Sequence, residues 1–136
     1  MIQESIKNAC HRVFDQLGYG HTEFVYQMAL KYELDSMGII SSTERPVSIH
    51  YIDSLDNCHH LTSYRIDLYV FGQEYDVIIE TKNITNITDK EINQVQRYLV
   101  ELNKEGKTIP FGMILNFPKT NKGVEILIID NKQLKE

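Results

Sequence analysis

A chain of 136 residues is long enough to bury one core and is the size of one domain. Its 42% hydrophobic and 24% charged residues are an ordinary globular balance, and no apolar run is long enough to span a bilayer. The net charge of −5, from 14 Lys+Arg against 19 Asp+Glu, argues against a passive binder that relies on neutralising phosphates, but not against a metal site, which needs clustered carboxylates.

The segment Met1–Ser5 has neither a basic stretch nor an apolar one, so an intracellular location (cytoplasm, or a virion if viral) is expected rather than secretion. Ile2, Ile6, Ala9, Cys10, Val13, Phe14 and Leu17 recur at helical spacing and predict a first helix, stopped by Gly18-Tyr19-Gly20. A second helix is expected from His21 or Thr22 to about Met37, with Thr22 as N-cap and Gly38 as stop. Tyr26, Ala29, Leu30, Leu34 and Met37 make its apolar face. Period two then sets in at Val47, Ile49 and Tyr51, a strand with Pro46 at its beginning or on an edge. Asp53 to Asn57 reads as a turn. Tyr64, Ile66, Leu68 and Val70 predict one face of a second strand, with Arg65 and Asp67 on the other. Gly72-Gln73-Glu74 signals a hairpin into a third strand, Tyr75 to Lys82.

Thr88-Asp89-Lys90-Glu91 has the form of a capping box and opens a third helix with a stripe of Ile92, Val95, Leu99 and Leu102, ended by Gly106. Two more strands follow, Ile109–Phe117 and Val124–Ile129, giving the order ααβββαββ. Residues 1–130 read as a single domain and residues 131–136 as a polar tail. The two cysteines, Cys10 and Cys58, are too few for a disulfide framework and are expected as free thiols. Cys58-His59-His60 hints at zinc, but a zinc site needs about four ligands. The candidates to complete one are His50 and the distant Cys10-His11 pair, so a loop is the simpler reading.

Chemistry concentrates at the end of the third strand. In Ile79-Glu80-Thr81-Lys82, Glu80 and Lys82 share a face. A hairpin around Gly72 sets Asp67 beside them. Two carboxylates suit a hard cation, Mg²⁺ or Mn²⁺, and the Thr81 carbonyl can add a ligand. Lys82 can orient an attacking water or stabilise charge on the phosphorus. The plain alternative is a cross-strand ion pair. Glu23 opens the second helix on the face of Tyr26, where simple dipole complementarity would also explain it. Gln94 and Tyr98 lie one turn apart on the third helix, beside its apolar stripe. Arg65, Lys90 and Arg97 are candidate phosphate contacts.

These residues fall in blocks that resemble the GxxExxY proteins. Gly20-His21-Thr22-Glu23-Phe24-Val25-Tyr26 matches the naming signature. Arg65-Ile66-Asp67-Leu68, Ile79-Glu80-Thr81-Lys82, Gln94 to Leu99 and Gly112 to Phe117 follow in the family's order. That family is similar to the PD-(D/E)XK superfamily, including RecB-like nucleases and Holliday-junction resolvases. The resemblance implies an α/β (α+β) restriction-endonuclease-like core, a mixed central sheet flanked by helices. It implies Asp67 and Glu80 as metal ligands, Lys82 as the catalytic lysine, and Glu23 and Gln94 as helical site residues. Tyr26, Arg65 and Tyr98 are supporting residues. Asn83, where the family has a small residue, is expected to loosen the strand end. The function expected is a metal-dependent DNA nuclease, acting on branched or single-stranded ends, with a homodimer compatible with it. The alternative is a catalytically silent module of the same fold that binds nucleic acid or serves a larger assembly, favoured by the acidic charge and the lack of an obvious arm.

Overall fold

The computed structural model describes residues 1–130, so the polar tail expected over 131–136 lies outside the described residues. The elements are α1 (Ile2–Leu17), α2 (Glu23–Ser36), β1 (Ser41–Ile52), β2 (Cys58–Val70), β3 (Val77–Lys82), α3 (Asp89–Lys104), β4 (Phe111–Asn116) and β5 (Glu125–Asp130), in the anticipated order. The strands form one sheet ordered β1-β2-β3-β4-β5, antiparallel except for the β3–β4 pair. Parallel neighbours need a long crossover, and α3 supplies it. Among the described residues no helix is long and apolar enough to cross a membrane.

The sheet separates two cores. On one face α1 and α2 bury Ile6, Ala9, Cys10, Val13, Tyr26, Leu30 and Leu34 against Val77, Ile79, Met113 and Leu115. On the other, α3 buries Val95, Tyr98, Leu99 and Leu102 against Ile78, Ile114 and Ile129. Alternation along each strand feeds both cores. Gly112 lets α3 come close, since a Cβ there would lie 2.7 Å from Val95 Cγ1 and 2.9 Å from Ile78 Cγ1. The capping box at Thr88 and Glu91 forms as expected. Thr22 stands at the N-cap of α2 but makes no side-chain cap bond. Met37 is 39% exposed, because it follows the last helical turn and falls off the buried face.

Two local readings change. Both hairpin strands begin earlier than their apolar alternation: β1 starts at Ser41 and β2 at Cys58. Cys58-His59-His60 is therefore strand, not loop. Its segment pairs with His50–Ile52 as an exposed two-stranded arm, and with solvent on both faces it carries no alternation to read. Pro46 lies inside β1 but on an edge strand, as expected. Lastly, Tyr64, Ile66, Leu68 and Val70 do not share a face. Leu68 and Val70 pack beneath α1 and α2, whereas Ile66 packs with Val47 beneath α3. The switch falls at Asp67. Opposite it Glu44 has a φ of 54° and drops out of the ladder between Thr43↔Leu68 and Arg45↔Ile66.

Both cysteines are free, Cys10 buried and Cys58 exposed. Burial pushes the Cys10 thiol up to about 12. A chromogenic disulfide reagent should therefore titrate one thiol in the folded protein and two after denaturation, read by absorbance.

Candidate functional site

β2 and β3 pair only at Leu68↔Ile79, Tyr69↔Ile78 and Val70↔Val77, and then part. Side chains take over the backbone groups freed at this fork. Glu80 Oε1 accepts the Asp67 amide at 3.2 Å. Asp67 Oδ2 accepts the Thr81 amide at 2.9 Å and its hydroxyl at 2.8 Å. Each carboxylate thus satisfies an amide on the opposite strand. The Asp67 carbonyl accepts from Gln27 Nε2 at 3.3 Å. Thr81 turns its amide to the β2 side and its carbonyl with it, while the next carbonyl, of Lys82, accepts from Phe117 N–H at 2.8 Å beside β4.

Glu80 and Lys82 face α3 with Ile78. Lys82 Nζ donates to Gln94 Oε1 at 3.0 Å, and Gln94 Nε2 donates to Tyr98 Oη at 2.9 Å. Lys82 Nζ lies 4.0 Å from Glu80 Oε2, a same-strand neighbour rather than the cross-strand ion pair considered above. Glu23, on the first turn of α2, reaches the fork from the other side of the sheet, close enough for its charge to act on both Asp67 and Glu80. It borders a groove of about 600 Å³ together with Tyr64, Lys82, Lys90, Gln94 and Arg97.

The supporting residues divide. Tyr26 is fully buried and stacks on Phe117 with ring centroids 4.3 Å apart. Its hydroxyl donates to the Gly18 carbonyl at 2.6 Å and accepts from the His21 amide at 3.3 Å, fastening the turn that leads into Glu23. Tyr98 backs Gln94, and burial, reinforced by Glu80, pushes its hydroxyl up to about 12. Arg65 does not join the groove; it donates to the Glu44 carbonyl at 3.3 Å. Lys90 and Arg97 do line it. Asn83 tightens the strand end instead of loosening it, donating to the Phe117 carbonyl at 2.8 Å.

Two residues at the fork escaped the sequence reading. Gln27 is buried and joins Asp67 to Glu44, donating to Glu44 Oε2 at 3.0 Å. Its signal was a glutamine on the apolar face of α2, one turn after Glu23. Glu44 carried none, since nothing in an exposed strand marks a positive φ. Further along, the buried Asn116 holds the loop after β3 by bonding both backbone groups of Ile84.

Asp67 is 9% and Glu80 2% exposed, so their charges are poorly solvated. Burial, then repulsion from Asp67, holds the Glu80 carboxyl well above the usual range, against the pull of Lys82. Burial raises Asp67 too, opposed by the Thr81 hydrogen bonds. Burial and Asp67 raise Glu23. Three carboxylates thus face one ammonium, an excess of negative charge that a divalent cation with oxygen ligands would neutralise. The donor set fits such a cation. Among the described residues, no three acidic, histidine or cysteine side chains are already gathered as ligands.

A five-stranded mixed sheet with helices on both faces, carrying acids where its central hairpin forks, has the core of an endonuclease-like fold. The chain belongs to the PD-(D/E)XK nuclease superfamily, whose family model matches residues 1–127. Members of that superfamily typically use divalent metals. No curated protein matches in sequence. Among solved structures, the fold is similar to the crystal structure of SSO0001, with a TM-score of 0.59 and 13% identity. The match covers 82% of this chain and 51% of that one, so this chain spans about half its length.

Proposed function

We propose that residues 1–130 form one metal-dependent nuclease domain acting on DNA, on branched or single-stranded ends. The observation that carries this is the fork: buried carboxylates from two strands, both with raised proton affinity, meet a lysine beside a groove bordered by Lys90 and Arg97. Asp67 and Glu80, with Glu23 and the Thr81 carbonyl, would hold Mg²⁺ or Mn²⁺. When bound, such a cation polarises a phosphate oxygen and acidifies a coordinated water. Lys82 orients the attacking water and stabilises the charge that develops on the phosphorane. Gln94 fixes the ammonium through Oε1 and is itself fixed by Tyr98. Lys90 and Arg97 contact the phosphate backbone, and the half-exposed Tyr64 offers a ring for a base.

Purified protein should cleave DNA with branched or single-stranded ends in the presence of Mn²⁺ or Mg²⁺. Asp67→Asn and Lys82→Ala should each lower the rate by roughly 10²–10³. Wild-type rates in both variants would refute the assignment. A non-catalytic module is favoured by one observation, the lack of a ready-gathered ligand trio among the described residues. Calorimetric titration with Mn²⁺ separates the readings: binding lost in Asp67→Asn and Glu80→Gln supports the enzyme, and no binding in the wild type supports the module. A homodimer would place two sites on two strands; light scattering measures it.

A further inference from the structure

We propose that the arm formed by β1 and β2 carries a second metal site, for a borderline-soft cation such as Zn²⁺, built from His50, Cys58 and His60. The site is independent of the acidic fork and of the nuclease reading.

The sequence sets His50 eight and ten positions before Cys58 and His60, on the other side of the turn. The register brings them together. His50 and His60 are direct cross-strand partners, their ring centroids 5.4 Å apart at 72°. Cys58 pairs with Ile52, two positions along each strand from that pair. Side chains two apart share a face, so His50, Cys58 and His60 project from the same side of the arm. The irregularity between Ile49 and His50 lies just outside this stretch, which is evenly paired from His50↔His60 to Ile52↔Cys58. Cross-strand Cβ atoms lie about 4.5–5.5 Å apart and diagonal neighbours within about 7–8 Å. Two imidazoles and a thiolate so placed can reach one ion at Zn–N of about 2.0–2.1 Å and Zn–S of about 2.3 Å. His59 is not part of the set. It alternates to the other face, where its Nε2 lies 2.7 Å from Asp53 Oδ2.

The three side chains are not gathered around a point in this conformation, and His60 Nε2 lies 3.1 Å from Ser63 Oγ. All three are exposed, so turning them inward displaces no packed neighbour. The donors separate the two sites by metal. Thiolate and imidazole select zinc-like ions, whereas the fork's oxygens select Mg²⁺ or Mn²⁺. With three protein ligands, water completes the tetrahedron.

Cobalt(II) reports the geometry. The full, reduced chain is titrated with Co²⁺ in excess Mg²⁺, which keeps the acidic fork occupied by a hard ion. The expected result is one Co²⁺ per chain, with tetrahedral d–d bands and a thiolate-to-cobalt charge-transfer band, both displaced by Zn²⁺. Cys58→Ser should abolish the charge-transfer band. His50→Ala and His60→Ala should each weaken binding roughly tenfold or more, and Asp67→Asn should leave the bands in place. Circular dichroism of the variants checks that the fold persists. Absence of the charge-transfer band in the wild type, its survival in Cys58→Ser, or affinity unchanged in both histidine variants would overturn the site.

Discussion

Glu80→Gln is expected to stabilise the metal-free protein at pH 8 while removing its response to Mn²⁺. Glu80 is 2% exposed, and its proton affinity is raised by burial and by Asp67. A carboxyl whose folded-state pKa lies above its unfolded value contributes stability at acid pH that is lost as pH rises through the folded value. Asp67 and Glu23 are raised as well, so the three act together. The melting temperature of the metal-free wild type should therefore fall from the weakly acidic range upward. Glutamine keeps an oxygen to accept the Asp67 amide and removes the charge. The gain should be about 1–3 kcal/mol, the scale of an uncompensated buried polar group. That corresponds to roughly 4–12 °C for a chain of this size. Saturating Mn²⁺ should reverse the ranking. At a thousand times its dissociation constant a ligand adds about 4.1 kcal/mol to the wild type alone. Scanning calorimetry at pH 5 and pH 8, with and without Mn²⁺, reads all four conditions. A variant no more stable than wild type at pH 8 without metal would show that the excess charge is already compensated.

Tyr26→Ala should be the most damaging single change to the fold, costing about 3–5 kcal/mol. The ring is fully buried and stacks on Phe117 at 4.3 Å, with 2° between the planes. Its removal opens the core between α2 and β4. Tyr26→Phe keeps the stack and loses the hydroxyl's bonds to the Gly18 carbonyl and the His21 amide, for about 0.5–1.5 kcal/mol each. Urea denaturation monitored by circular dichroism separates the two. Equal losses would mean that the hydroxyl, not the ring, dominates. Because Tyr26 fastens the turn before Glu23, the phenylalanine variant should also weaken Mn²⁺ binding more than its small stability cost implies.

The helices and buried strands were legible because each carries one dominant period. The stop at Gly18, the Thr88 capping box and the Glu80-x-Lys82 alternation all map directly onto the structure. What stayed hidden had no periodic signal. The arm is wet on both faces, so Cys58-His59-His60 looked like loop. The change of face at Asp67 depends on the Glu44 backbone, whose φ of 54° is unusual for glutamate and unmarked in sequence. That change also explains Arg65. Alternation from Asp67 paired it with the site, yet beyond the switch it turns toward the Glu44 carbonyl. The residues proposed for chemistry were legible as types at spacings. Their connection through Gln27 required the fold.

The brevity of the β2–β3 ladder has a consequence for how the sheet chooses its alignment. Three paired residues specify a strand offset weakly, and a slip by one would turn every side chain of β3 over. Val77, Ile78 and Ile79 are all apolar and would tolerate either offset. The acids would not. The bonds from the Thr81 amide to Asp67 and from the Asp67 amide to Glu80 exist only in the native alignment, and they extend the ladder past its last backbone rung. The same side chains that concentrate negative charge thus serve as a key that admits one offset and rejects its neighbours.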